Sequence, residues 1–347
     1  MNILCLLDLP DGDAEKIEAV DPSISLTMAP NWFDGEIRES WDEFTAAQHL
    51  APDANGHGTR EERDALLAEA DVVFGGWPYP FDLRSRAPNL KWFQQQPAGA
   101  SNLRKGDLWG SDVIVTTSRG FGNTLPIAEY AIGSLFYFAR RFDQADRDRT
   151  EGVFHKPNYK SLLFEGKTIC VIGAGGIGEH VGRLAAGLGM RAVGTKRNPG
   201  NDLPEGFSDI RGPDGLLDLL SESHFAAICC QWTPETDKLM NKEAFAAMQP
   251  DGVMTNVARG EIVDEDAMLD ALDSGHLRGA ALDVYVGEFE HPPSERLWQH
   301  PRILITPHVS GKTDVHYRRS TDLFCENLRA FLDGKPMKNV IDWSAGY

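Results

Sequence analysis

The chain has 347 residues, 41% of them hydrophobic and 25% charged, and its 34 Lys and Arg against 52 Asp and Glu leave a formal net charge of −18. That length suits two domains, each with its own core, and the composition excludes a disordered or fibrous chain. The acidity repels nucleic acid and anionic membrane surfaces at long range, and no apolar run approaches the ~20 residues needed to span a bilayer.

The opening MNILCLLDLPDGD has no basic start and turns acidic at once, which predicts a cytoplasmic protein without a leader. Four short apolar runs then predict strands at 2–7, 70–76, 90–95 and 112–117, enough for one small doubly wound parallel sheet. From 125 the period changes. In LPIAEYAIGSLFYFARR, Ile127, Ala131, Leu135 and Phe138 recur at helical spacing after Pro126, and the charged stretch 143–166 is expected to begin as a continuation of that helix.

A second series of strand-like runs follows at 167–173, 191–195, 225–230, 252–258, 280–285 and 302–307, alternating with helical stretches. Six strands in this arrangement suit a dinucleotide-binding sheet. The segment 314–336 reads as a last amphipathic helix, and nothing in the chain repeats. Cys5, Cys170, Cys229, Cys230 and Cys325 are odd in number and mostly lie in apolar runs, so they read as reduced thiols, with no disulfide and no metal site.

The sharpest local motif is KTICVIGAGGIGEHVGRLAAGLG, in which Gly173, Gly175 and Gly178 form G-x-G-x-x-G directly after a predicted strand. A tight turn, a close approach of backbone to a pyrophosphate and a close helix–sheet contact each require glycine, and Gly176 and Ile177 complete the loop. Alone, the motif is a weak signal, because a plain glycine-rich turn carries the same spacing. A strand before it and a helix with Val181, Leu184, Ala185 and Leu188 on one face after it make it specific. In AVGTKRNP, Lys196 falls 18 residues past Gly178, where an acid would bind the adenosine ribose of NAD. Lys196 and Arg197 there offer donors to a 2′-phosphate and predict NADP(H) over NAD(H). The plainer alternative is two solvated surface cations.

Three later strand ends carry polar groups: Asn256-Val257-Ala258-Arg259-Gly260, then Asp283 with Glu288 beyond it, then His308. Any one of these is more often an ordinary loop residue than a catalyst. Taken in this order with the glycine loop and Thr233–Thr236, they resemble the D-isomer-specific 2-hydroxyacid dehydrogenase family, which includes glyoxylate/hydroxypyruvate reductases, and the likeness runs over essentially the whole chain.

The resemblance implies a Rossmann cofactor domain, 125–311, inserted in a flavodoxin-like substrate domain made of 1–124 and 312–347, with catalysis in the cleft. It implies that His308 is the acid for the nascent alkoxide, that Glu288 orients its imidazole and stabilises the imidazolium, and that Arg259 clamps the substrate carboxylate and polarises the carbonyl. It places Thr233, Val257, Ala258 and Asp283 at the cofactor, and the backbone of Ala98 and Gly99 at the substrate carboxylate. It also implies a homodimer paired through the 125–141 region, and because the chain ends soon after the last helix no regulatory module is expected.

The chain departs from the family pattern at Ser101, where relatives commonly have Asp, at Gln231 and Trp232, and at Phe289 after Glu288. The loop VFGGWPYP is also unusual, and Trp77 or Tyr79 is expected to overhang the substrate. The reading is an NADP(H)-preferring reductase of a small 2-oxo acid such as glyoxylate or hydroxypyruvate. The alternatives are an NAD-dependent enzyme of the same type and a dinucleotide-sensing, corepressor-like binding protein.

Overall fold

A computed structural model describes residues 1–200 and 202–343, apart from the side chain of Ser101. The chain divides into two compact units, one made of Met1–Asn123 with the segment from Thr313 onward, the other Thr124–Lys312.

In the first unit, β1 (Asn2–Cys5), β2 (Ser25–Met28), β3 (Val72–Gly75), β4 (Trp92–Gln95) and β5 (Ile114–Thr117) make a parallel sheet in the order β2-β1-β3-β4-β5. Alternate side chains leave opposite faces of a strand. Leu4, Val73, Phe93 and Val115 accordingly enter one core, whereas Ile3, Cys5, Val72, Phe74 and Trp92 enter another. The C-terminal helix His316–Leu332 covers the second face: Phe324 stacks on Phe74 at 4.3 Å and on Trp92 at 5.0 Å.

The second unit holds β6 (Thr168–Ile172), β7 (Arg191–Thr195), β8 (Phe207–Arg211), β9 (Phe225–Ile228), β10 (Gly252–Asn256), β11 (Leu277–Leu282) and β12 (Ile303–Ile305). All pair in parallel, in the order β12-β11-β10-β9-β6-β7-β8. The chain starts at β6, winds outward through β7 and β8, and returns to wind the other way from β9. The carboxyl ends of β6 and β9 flank the switch point where such sheets bind ligands. Both faces are covered, Cys170, Ile172, Ala226 and Ile228 on one side and Ile169, Val171, Phe225 and Ala227 on the other. That is why these strands read as continuous apolar runs.

The structure differs from the sequence reading at four places. Strands β2 and β8 were not expected; both are edge strands with polar, partly exposed residues, so neither carries a buried-strand pattern. Strand β11 starts at Leu277 rather than 280, a shift masked by the cationic Arg278. That side chain is nevertheless buried, its Nε donating to Asp251 at 3.0 Å and its Nη1 to the Lys160 carbonyl at 2.6 Å. The helix Thr124–Ala139 does not run on into the charged stretch, because Arg141 turns into the left-handed region at φ 63° and a separate helix, Phe142–Glu151, begins.

Among the described residues no helix is long and apolar enough to cross a membrane. All five cysteines are free.

Candidate active site

The glycine loop joins β6 to the helix Gly176–Gly187. Gly173 has φ 97°, and a Cβ there would lie 2.6 Å from the Cys230 backbone, where the chain leaves β9. A Cβ on Gly178 would lie 2.2 Å from the Gly173 carbonyl oxygen. These two glycines serve the protein's own packing. Gly175 is different: its Cβ position is open, with nothing within 4 Å. It caps the helix without a side-chain bond, so the first-turn N–H groups of Gly176, Ile177 and Gly178 face that opening without intrahelical partners. Open space beside orphan donors at a positive helix end fits the pyrophosphate of a dinucleotide.

Lys196 follows β7 immediately, and its backbone N–H donates to the Arg211 carbonyl at 2.9 Å. Its Nζ lies 3.6 Å from Oε1 of Glu179, on the first turn of the glycine-loop helix. Arg197 is exposed and also has an acid nearby: the Glu235 carboxyl is held below its usual range, first by the Thr233 hydroxyl and in lesser part by the Arg197 charge. Thr233 opens a tight turn in which its N–H donates to the Thr236 hydroxyl at 2.8 Å, and Trp232 is tethered across it by a 2.9 Å bond from Nε1 to Asp237.

At the exit of β10 one side chain sets the loop. Asn256, fully buried, accepts from the Ala258 N–H at 3.0 Å and donates to the Arg259 carbonyl at 2.8 Å, so it closes the tripeptide Val257-Ala258-Arg259 on itself. Sequence reasoning passed over Asn256 as a strand end. Its only signal was an amide where an apolar residue would otherwise suit a buried strand. Gly260 then lets this loop press against the exit of β11: a Cβ there would lie 2.0 Å from the Tyr285 carbonyl carbon. Arg259 and the Glu288 loop are thereby brought side by side. Glu261 registers both: burial chiefly pushes its carboxyl up, the Glu288 charge adds to this, and the Arg259 charge opposes it.

Glu288 is buried, its side chain 8% exposed, and both its carboxylate oxygens lie 3.2 Å from His308 Nδ1. A carboxylate only accepts, so Nδ1 carries the hydrogen and Nε2 is the nitrogen that Glu288 does not engage. His308 itself sits at φ 51°, a left-handed conformation that costs a non-glycine residue about 1–3 kcal/mol. Asp283 holds it there. Its carboxylate accepts from the Thr306 hydroxyl at 2.6 Å and from the Val309 and Ser310 N–H groups at 2.8 and 2.9 Å, and its own carbonyl accepts the His308 N–H at 2.9 Å. The Phe289 ring lies 6.1 Å from the imidazole.

Arg259, Glu288, His308 and Asp283, with Val257, Ala258, Thr233, the glycine loop and Lys196, all follow the carboxyl ends of strands of one sheet. Ala98, Gly99 and Trp77 belong to the first unit. There the 97–100 loop is braced by Gln95, whose amide donates to the Gly99 carbonyl and accepts from Asn102 at 3.1 Å. The Ser101 side chain lies outside the described residues. Trp77 is half-buried, edge-on to Trp41 at 5.0 Å and to His49 at 4.7 Å. Tyr79 is core instead, 1% exposed with its hydroxyl on the Leu103 carbonyl at 3.2 Å.

Comparison with known proteins agrees with this geometry. D-3-phosphoglycerate dehydrogenase of Methanocaldococcus jannaschii is 27% identical over 286 residues, and that of Mycobacterium bovis 30% identical over 301 residues. Each alignment covers 82% of this chain but 54% of the relative, so the chain spans about half the length of these curated relatives. The crystal structure of a D-isomer specific 2-hydroxyacid dehydrogenase from Xanthobacter autotrophicus Py2, in complex with NADPH and MES, superposes with a TM-score of 0.75 at 26% identity, covering 100% of this chain and 99% of that one. Residues 132–310 match the NAD binding domain of the D-isomer specific 2-hydroxyacid dehydrogenases. The sheet orders, the buried carboxylate–histidine pair and this match converge on one conclusion: the chain belongs to the D-isomer-specific 2-hydroxyacid dehydrogenase family.

Proposed function

We propose that the protein is an NADP(H)-preferring oxidoreductase that reduces a small 2-oxo acid, of the glyoxylate or hydroxypyruvate kind, to the D-2-hydroxy acid. The observation that carries the reading is the pairing of His308 Nδ1 with both oxygens of the buried Glu288, beside Arg259. A bound reduced dinucleotide supplies the hydride to the carbonyl carbon. His308 Nε2 gives the proton to the carbonyl oxygen, and Glu288 fixes the ring and stabilises the imidazolium that donates it. The Arg259 guanidinium pairs with the substrate carboxylate and draws charge toward the carbonyl oxygen. Ala98 and Gly99 are assigned as backbone donors to a carboxylate on the family resemblance, and Trp77 as a substrate contact from its place in the unusual 73–80 loop.

The chain's own residues would hold the dinucleotide as follows. Gly173, Gly175, Gly176, Ile177 and Gly178 cradle the pyrophosphate, Lys196 and Arg197 meet the 2′-phosphate, and Thr233, Val257, Ala258 and Asp283 line the rest. The Xanthobacter relative's complex with NADPH supports the phosphorylated form. The carboxylates of Glu179 and Glu235 beside the two cations favour a second reading, NAD(H) dependence, in which the cations are already neutralised. The same proposal includes a cytoplasmic protein with free thiols and a homodimer. The dimer is proposed to pair through the 125–141 region, and the segment after it exposes Phe142, Phe154 and Leu163 at 54%, 101% and 61%.

Oxidation of NADPH and NADH measured with a panel of 2-oxo acids tests the reading. Turnover with small 2-oxo acids at a lower KM for NADPH is expected. Tight dinucleotide binding with no turnover on any acid rejects the enzyme in favour of a sensing protein.

A further inference from the structure

The turn carrying His308 is anchored outside the residues assigned to chemistry. Tyr130, on the helix Thr124–Ala139, has its hydroxyl 2.7 Å from Thr306 Oγ1, and that oxygen is 2.6 Å from Asp283 Oδ1. The direction of these bonds is determined by chemistry. Thr306 has one hydroxyl hydrogen and Asp283 can only accept, so Thr306 donates to Asp283 and Tyr130 must donate to Thr306. Burial, the largest cause, pushes the Tyr130 phenol up to about 12, so it keeps its proton throughout the physiological range. The relay ends on the carboxylate that also gathers the Val309 and Ser310 N–H groups, immediately after the backbone turns left-handed at His308.

We propose that Tyr130 and Thr306 are positioning residues for His308: two hydroxyls in series tie the Thr306–Ser310 turn to the helix Thr124–Ala139 and hold the imidazole in line with Glu288. The proposal rests on the reading of His308 as the proton donor. The relay defines where Asp283 can sit, because Thr306 occupies one lone pair of Oδ1 while Val309 takes another. Without Thr306 the carboxylate can rotate, and the turn has one bond fewer to sustain a conformation that His308 does not favour by itself. Neither hydroxyl lies within the His308–Glu288 pair, so their loss acts through geometry alone.

Thr306→Val, Thr306→Ser and Tyr130→Phe, made in the full chain, test this by steady-state kinetics, dinucleotide affinity and the NMR signals of the His308 ring, identified by their loss in His308→Asn. Thr306→Val should lower kcat on the order of tenfold or more, as small displacements of a reacting group do. Tyr130→Phe should lower it by less, both should move the His308 ring signals, and Thr306→Ser should restore both readouts. Unchanged kcat and ring signals in Thr306→Val and Tyr130→Phe overturn the proposal, as does a Thr306→Ser variant as impaired as Thr306→Val. If Thr306→Val does not fold, Tyr130→Phe, which keeps its apolar body, decides by the same readouts. If the wild type turns over no 2-oxo acid, the functional reading fails, and the ring signals in Tyr130→Phe and Thr306→Ser still decide the relay.

Discussion

Lys196 Nζ stands 3.6 Å from Oε1 of Glu179, so the cation placed where an adenosine ribose would be recognised already faces a carboxylate from the first turn of the glycine-loop helix. The pair is 38% and 49% exposed, and such pairs are worth roughly 0–1 kcal/mol. A 2′-phosphate entering this place must compete with Glu179. Glu179→Gln should raise affinity for 2′,5′-ADP by about two- to fivefold and leave 5′-AMP unchanged. Calorimetric titration of the two fragments checks this, and the gain should shrink as salt is raised. An equal change for both fragments counts against recognition of the phosphate at Lys196.

The cations themselves can be removed. Lys196→Asp with Arg197→Ala should weaken NADPH binding by at least about tenfold, corresponding to ~1.4 kcal/mol, while NADH binding is kept or improved. Fluorescence titration with both dinucleotides reads the difference. Equal weakening of the two would assign Lys196 and Arg197 to solvent.

Two glycines of one loop should behave oppositely. Gly175 lies at φ −106° with open space where a Cβ would go, so Gly175→Ala should fold with nearly unchanged stability and lose dinucleotide affinity. Gly178→Ala would set a Cβ 2.2 Å from the Gly173 carbonyl oxygen and should lower the thermal midpoint whether or not a dinucleotide is present. Thermal denaturation with and without NADPH separates the two effects.

Asn256 closes the Arg259 loop through an N–H and a carbonyl in a fully buried place. Asn256→Ala leaves both groups without that partner, at a cost of about 1–3 kcal/mol per group. Denaturant unfolding should show the loss, and KM for the 2-oxo acid should rise because Arg259 is no longer held. A stable variant with unchanged KM would mean that the loop holds its form without the amide.

The proton path gives the largest expected effect. His308→Ala and Glu288→Gln should each lower kcat by about 10²–10⁴, with dinucleotide affinity retained. Glu288→Gln keeps the volume of the buried side chain and removes its charge, so a fall there is electrostatic rather than a packing defect. Single-turnover kinetics with saturating NADPH checks both variants, and undiminished turnover in His308→Ala would assign the proton to another donor.

Much of this was readable from the residues alone. Strands buried on both faces announce themselves as apolar runs, and the run from Thr168 to Ile172 followed by three spaced glycines placed the loop before any coordinates. The order Arg259, Glu288, His308 after successive strand ends carried the family resemblance that implies the acid–base roles, and a parallel sheet delivers all its carboxyl ends to one edge. What escaped were the elements whose pattern is set by partners distant in sequence. Edge strands β2 and β8 bury too little to leave a periodic trace, and Arg278 interrupts the apolar run of β11 because the acid and carbonyl that satisfy it lie 27 and 118 positions away.

The residues alone therefore determined the class of sheet and the glycine loop, since each depends on local spacing and side-chain type, and the candidate acid–base set followed as what the family resemblance implies. Only the tertiary structure decided that Asn256 closes the Arg259 loop, that Asp283, Thr306 and Tyr130 hold His308 at a positive φ, and that Lys196 meets Glu179. Hydrogen bonds and ion pairs depend on distance and angle between groups that the fold brings together, and neither quantity is encoded in the spacing of residues along the chain.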